Sequence, residues 1–250
     1  MTSSSWDAAT YAKASDAQAR WAEAVLDRLS LRGDETVLDA GCGSGNVTLR
    51  LLERLPRGRV IAVDGSAEML ELARETLGER ADVRLVDLVD LDLSDAVDAV
   101  FSNAVFHWID DHDRLFSRLF AALRPGGRLV AQCGGEGNIA RFLAIAAEVG
   151  ASDPYAPWLA GFEPPKRFAD ADGTRERLVR AGFVDVNVWL EPSDVTPADP
   201  VGFVRTAPLR CHLQRLPDEL GPAFVSAVLD RCGEPLVMDF QRLNMDARRP

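Results

Sequence analysis

The chain has 250 residues, 47% of them hydrophobic and 27% charged, an ordinary globular composition with room for one large α/β domain. Its formal net charge of −11 argues against a nucleic-acid partner, which needs clustered Lys and Arg, and no apolar run approaches the roughly 18 residues of a membrane span. Four cysteines without a Cys-x-x-Cys pair and three scattered histidines argue against a zinc site, so reduced thiols and no metal are expected.

In chain order, residues 1–7 are polar and lack the basic-then-apolar layout of a signal peptide, so a cytoplasmic protein is expected. Trp21, Ala24, Val25 and Leu29 fall at helical spacing over 6–29, with Ser15 or Asp16 as N-cap. Trp6 and Tyr11 precede that stripe. Thr36 to Ala40 is short and apolar, as a strand buried on both faces of a parallel sheet would be. Gly41, Gly43 and Gly45 then alternate ahead of a helix over 47–55. Strand, glycine turn and helix form the layout of a nucleotide site at the carboxyl edge of a sheet, where glycine lets backbone approach a ligand closely. The spacing departs from the dinucleotide fingerprint, because Asn46 stands where a third glycine belongs, and it lacks a P-loop's Gly-Lys-Ser/Thr ending.

A second buried strand over 59–64 ends in Asp64, about twenty residues beyond the glycines, the spacing at which a carboxylate meets ribose hydroxyls. Asp64 can equally cap the next helix, 66–77, with Ser66 as its rival. A third strand, 82–86, leads into Asp87 and Leu88, and a fourth, 98–103, into Ala104-Val105-Phe106-His107-Trp108. A helix over 115–123 ends at Arg124-Pro125-Gly126-Gly127, before a fifth strand over 128–133. The second half is less regular. Helices are expected at 138–149, 173–181, 199–212 and 217–231, a sixth strand at 183–190, and a final antiparallel edge strand at 236–247.

Thr36 to Asn46 resembles motif I of class I S-adenosylmethionine (SAM)-dependent methyltransferases, roughly (V/L)-(L/V)-D-x-G-C-G-x-G. Two further segments, Phe106-His107-Trp108-Ile109-x-Asp111-His112 and Phe203 to Arg210 followed by Leu216-Pro217, resemble the trans-aconitate methyltransferase-like group. Pro208 and Cys211 depart from it, where Gly and Pro are usual. The resemblance spans nearly the whole chain and implies an α/β, Rossmann-like, seven-stranded sheet. That sheet is mostly parallel with an antiparallel last strand, helices on both faces and a helical cap built from insertions. It implies one domain over 1–250: a lid or helix at 1–30, a SAM-binding core at 31–135, and sheet completion at 136–250 with substrate-cap insertions near 138–165 and 195–235.

The implied reaction is methyl transfer from SAM, leaving S-adenosylhomocysteine, to a small-molecule acceptor at a carboxylate oxygen; the alternatives are a protein that binds SAM or its product without catalysis and a methyltransferase acting on a hydroxyl or an amine. No nucleic acid and no membrane are expected as partners, and the chain is expected as a monomer or homodimer. The resemblance places Tyr11, Asp39, Gly41, Cys42, Gly43, Asn46, Asp64, Gly65, Met69, Asp87, Leu88, Asn103 and Ala104 at the cofactor. Tyr11, His107, Trp108, Arg205 and Arg210 fall to the acceptor. Each has a plainer reading: Tyr11 as packing for the first helix, Met69 as core, and either arginine as a structural ion pair. His107 is a donor to a carboxylate, a general base, or a loop cap.

Overall fold

In the computed structural model, residues 8–250 are described, with side chains from residue 19 onward. Helix α1 (Ala8–Leu29) leads into β1 (Thr36–Ala40), α2 (Asn46–Glu53), β2 (Arg59–Asp64), α3 (Ala67–Leu77), β3 (Asp82–Leu85) and β4 (Val97–Asn103). Next come α4 (His112–Ala122), β5 (Leu123–Gly134), α5 (Ala140–Gly150), α6 (Ala156–Leu159), α7 (Ala171–Arg180) and β6 (Val184–Val195). The chain closes through α8 (Pro200–Thr206), α9 (Arg210–Leu213), α10 (Gly221–Cys232) and β7 (Met238–Arg248).

The seven strands lie in the order β3-β2-β1-β4-β5-β7-β6. Pairs β1–β2, β1–β4, β2–β3 and β4–β5 are parallel, and β7 runs antiparallel to β5. The last strand is therefore not the edge: β7 inserts between β5 and β6, and β6 takes the outside.

Period-2 side-chain alternation divides the strands between two apolar layers. Leu38, Ile61 and Val63 join Leu115, Phe116 and Leu119 of α4 on one face. Val37, Val60 and Ala62 join Leu26 and Leu29 of α1, Leu51 of α2 and Leu70 of α3 on the other. All five residues of β1 are buried, which its apolar run foretold.

Contacts divide the chain into two compact units. One comprises 19–136, 166–191 and 242–250 and contains both sheet layers. The other gathers 137–165 and 192–241 around its own apolar cluster, in which Phe142 of α5 and Phe224 of α10 are buried with Phe203 of α8. The single helix expected over 199–212 is two short ones, α8 and α9, broken at Ala207 to Leu209.

Candidate active site

The turn after β1 is held by backbone geometry that only glycine adopts freely. Gly41 has φ +89° and Gly43 has φ +54°. The amides of Gly41 and Cys42 both donate to the Val63 carbonyl at 2.9 Å, tying the turn to β2. A Cβ on Gly41 would lie 2.2 Å from Val105 Cγ2, whereas one on Gly43 would meet nothing within 4 Å. Gly41 is thus fixed by protein packing, and Gly43 lines open space.

Asp64 stands beside that space. Its Oδ2 accepts from the Gly43 amide and its Oδ1 from the Ser66 amide, both at 2.9 Å. Ser66, not Asp64, caps α3, its hydroxyl accepting from the Met69 amide. Each Asp64 oxygen retains a second lone pair for a ligand hydroxyl. Beyond Gly65, whose nearest neighbour to a Cβ would be Asp87 Cα at 4.0 Å, exposed Asp87 accepts from the Val89 amide and starts a short turn with buried Leu88. Met69 is half-buried on α3, and exposed Asn46 spends its amide on Ser44 Oγ.

Asp39, 1% exposed, receives the Thr48 hydroxyl at 2.7 Å. Burial pushes its carboxyl up to about 7, the Thr48 bond opposing and the Asp64 charge reinforcing the shift. Burial likewise raises the Cys42 thiol, helped by Asp39 and Asp64, so Cys42 is no nucleophile at neutral pH.

At the end of β4, the Asn103 Oδ1 is buried with no hydrogen-bond partner, an open acceptor beside the glycine turn's strand. Ala104 is held at φ +63°, a left-handed conformation unfavourable for a residue with a Cβ. Its amide donates to the Gln132 carbonyl at 2.7 Å. A short helical turn over Phe106–Trp108 follows, pinned by His112 Nε2 against the Phe106 carbonyl at 2.9 Å.

His107 is buried in that turn, its Nδ1 accepting from the Gly134 amide at 3.2 Å. The neutral ring therefore carries its hydrogen on Nε2, which has no partner among the described residues. Burial lowers its pKa to about 3, with the charges of Arg242 and Lys166 adding to the shift. Its ring packs near Trp108 at 5.3 Å and Phe168 at 6.0 Å between centroids. Trp108 is 49% exposed beneath the Lys166 ammonium, 4.8 Å from its ring centroid.

Apart from Tyr11, whose side chain lies outside the described residues, the expected cofactor residues gather at the carboxyl ends of β1 to β4 in one unit, with His107 and Trp108. Arg205 and Arg210 belong to the other unit, exposed and half-buried respectively. Neither forms an ion pair among the described residues. Sequence reasoning missed Thr48, Gln132 and Arg242. An Arg in the polar phase of a strand reads as solvent-facing, yet Arg242 is 3% exposed. A cavity of about 560 Å³ lined by Arg59, Asp82 and Arg124 opens at the amino ends of β2 and β3, the sheet edge away from the glycine turn. No group of three His, Cys, Asp or Glu among the described residues is placed to hold a metal.

The methyltransferase-domain family profile matches residues 37–127. A trans-aconitate 2-methyltransferase from Variovorax paradoxus (strain S110) is 34% identical over 256 aligned positions, covering 95% of this chain and 93% of that one. Another, from Azoarcus sp. (strain BH72), is 32% identical over 89% of this chain and 87% of its own length. Among solved structures, Haemonchus contortus phosphoethanolamine N-methyltransferase 2, in complex with phosphomonomethylethanolamine and S-adenosylhomocysteine, superposes with a TM-score of 0.61 at 20% identity. That match covers 92% of this chain and 52% of the other.

Proposed function

This chain belongs to the trans-aconitate 2-methyltransferase family of SAM-dependent methyltransferases, and on that premise we propose that it methylates a carboxylate oxygen of a small organic acid. Its cofactor is SAM, which when bound supplies an electrophilic sulfonium methyl. The residues present fit such a cofactor: open space over Gly43 and Gly65 for backbone approach, and two carboxylates, Asp64 and Asp87, for hydroxyl and amine donors. The orphaned Asn103 Oδ1 fits an ammonium. Asp39, Cys42, Asn46, Met69, Leu88 and Ala104 frame these groups, and Tyr11 is assigned with them.

His107 carries the choice of acceptor. With Nδ1 committed to Gly134 and a pKa of about 3, it cannot take up a proton at neutral pH, so it acts as an Nε2–H donor rather than a base. Cys133, pushed up to about 12 by burial, is no base either. A phenol or ammonium acceptor must lose a proton to become a nucleophile, whereas a carboxylate arrives ionised. The site is thus suited to an acceptor that is already an anion. His107 orients it, Trp108 walls it, and proximity supplies most of the rate. Arg205 and Arg210 are assigned to the same acid on the strength of the sequence resemblance.

The net charge of −11 supports a small-molecule substrate over a nucleic acid. Among the described residues no helix is long and apolar enough to cross a membrane; a cytoplasmic monomer or homodimer is assigned from the sequence reading alone.

The test is incubation with methyl-labelled SAM and trans-aconitate, citrate, fumarate, catechol and a panel of amines, with products read by mass spectrometry. A labelled methyl ester is expected. At saturating SAM the turnover number should stay flat between about pH 6 and 8, since His107, held by burial well below that range, does not titrate there. Label confined to phenols or amines would overturn the carboxylate reading.

A further inference from the structure

Among the described residues, Arg242 is a buried cation without an anion. It stands on β7 opposite Gly134 of β5 in the antiparallel register, the same Gly134 whose amide holds His107. Its Nε donates to Gln132 Oε1 at 3.2 Å. Gln132 Nε2 donates to Asn244 Oδ1 at 2.7 Å, and Asn244 Nδ2 to Glu191 Oε2 at 3.1 Å. The guanidinium carbon lies 4.3 Å from the Trp21 ring centroid. Relay and ring fix the plane of the fork. Yet Nη2 is buried with no hydrogen-bond partner, and no carboxylate among the described residues pairs with the charge. Glu191 stands three hydrogen bonds away, behind Gln132 and Asn244.

Burial lowers the Arg242 pKa to about 10, which leaves it charged at neutral pH. A buried guanidinium with an unspent donor is costly unless a partner arrives. Here the neighbourhood holds a second unspent donor, His107 Nε2–H, and aromatic walls in Trp21, Trp108 and Phe168. One fixed cation and one neutral donor beside the carboxyl ends of β4 and β5 match a planar anion with two oxygens, and the Arg fork matches a carboxylate better than any other common group.

We infer that Arg242 is the specificity-determining residue for the acceptor, its guanidinium receiving a carboxylate of the substrate. The assignment rests on the acid-methylating reading and sharpens it: the main anchor is a buried residue of β7. An acid whose anchored carboxylate is esterified or amidated should be a poor substrate, because the Arg242 charge would be left unpaired.

The experiment uses the full chain with Arg242→Gln, Arg242→Lys and Arg242→Met, assayed on trans-aconitate and citrate, with S-adenosylhomocysteine affinity by calorimetry and melting temperature measured in parallel. For Arg242→Gln the KM should rise at least 30-fold while S-adenosylhomocysteine affinity stays within twofold. Arg242→Lys, which keeps the charge but not the fork, should fall between Gln and wild type. Arg242→Met should melt at or above the wild-type temperature while losing acid turnover, because it removes an uncompensated buried charge. A structural arginine would behave in the opposite way. An Arg242→Gln enzyme within threefold of wild type on an acid that both methylate would sink the assignment and leave the function intact. A loss of turnover that follows lost S-adenosylhomocysteine affinity and a lowered melting temperature would also sink it. If the wild type methylates no acid at all, the underlying reading fails first and takes this one with it.

Discussion

Two stretches of one sheet edge are built on opposite electrostatic plans. Toward β2 and β3, the ligand-facing groups are anionic, reachable by solvent and already partnered: Asp64 holds the Gly43 and Ser66 amides, and Asp87 holds Val89. Toward β5 and β7 they are neutral or cationic and sit on buried residues: His107 Nε2 has no hydrogen-bond partner among the described residues, and Arg242 Nη2 is a buried donor left unspent. The first stretch offers acceptors and suits a nucleoside rich in hydroxyl and amine donors. The second offers donors and suits an anion. Solvated acceptors cost little to keep in the apo protein, whereas buried donors without partners are a standing cost that only a ligand relieves.

The comparison is tested most severely at the glycine turn, where neighbouring glycines serve different ends. Gly41→Ala places a methyl 2.2 Å from Val105 Cγ2 on backbone at φ +89°. Strain and overpacking together should remove up to about 6 kcal/mol of stability. Gly43→Ala meets no protein atom within 4 Å, so it should cost only the backbone strain of its positive φ, on the order of 1–3 kcal/mol, yet weaken SAM binding more than Gly41→Ala does per unit of stability lost. Urea unfolding and calorimetry on both variants check this. Equal stability losses would erase the distinction between a packing glycine and a ligand-facing one.

A smaller effect is expected from Asp39. Its carboxyl is raised from 3.8 to about 7 by burial, so the folded protein keeps this proton over a range where the unfolded chain has released it. The contribution of Asp39 to stability is therefore greatest below the unfolded value near 4 and declines as pH rises through about 7, by at most about 4 kcal/mol. Binding a cation opposes this, because it favours the ionised carboxylate. SAM affinity should therefore climb as pH rises through about 7, roughly tenfold, and Asp39→Asn should flatten both slopes. Calorimetric titrations at three pH values measure it, and an unchanged slope in the variant would free the site of Asp39 altogether.

The cofactor side was largely legible in the sequence because its signals are local. An apolar strand, glycines at fixed intervals and a carboxylate about twenty residues on are each set by chain geometry over short spans. The acceptor side depends on pairings between remote segments. In β7, Leu243, Met245 and Ala247 face one apolar layer. The alternate residues Arg242, Asn244 and Asp246 have the composition of a solvent face. They are instead met by α1, with Arg28 bonded to Asp246 at 3.1 Å and Trp21 beside Arg242. Period-2 reading finds the phase of a strand, but not what covers its polar side. The same blind spot made β7 an edge strand in sequence, when its antiparallel insertion beside β5 puts it inside the sheet.

The smallest effects should come from the arginines that sequence does single out. Arg205 is exposed in the last turn of α8, and Arg210 is half-buried at the start of α9. A carboxylate meeting either trades one hydrated state for another, and such solvent-screened pairs are worth about 0.2–1 kcal/mol. Arg205→Gln and Arg210→Gln should each raise the KM for trans-aconitate by no more than about fivefold, with the turnover number unchanged. Arg242 differs because its charge is already desolvated before the acid arrives, so the pair gains its Coulomb energy with half the desolvation already met by folding. Steady-state kinetics on the single variants and on Arg205→Gln combined with Arg242→Gln separate the two cases. A 30-fold KM rise from Arg205→Gln or Arg210→Gln alone would move the acid's anchor away from Arg242 and reverse the ranking.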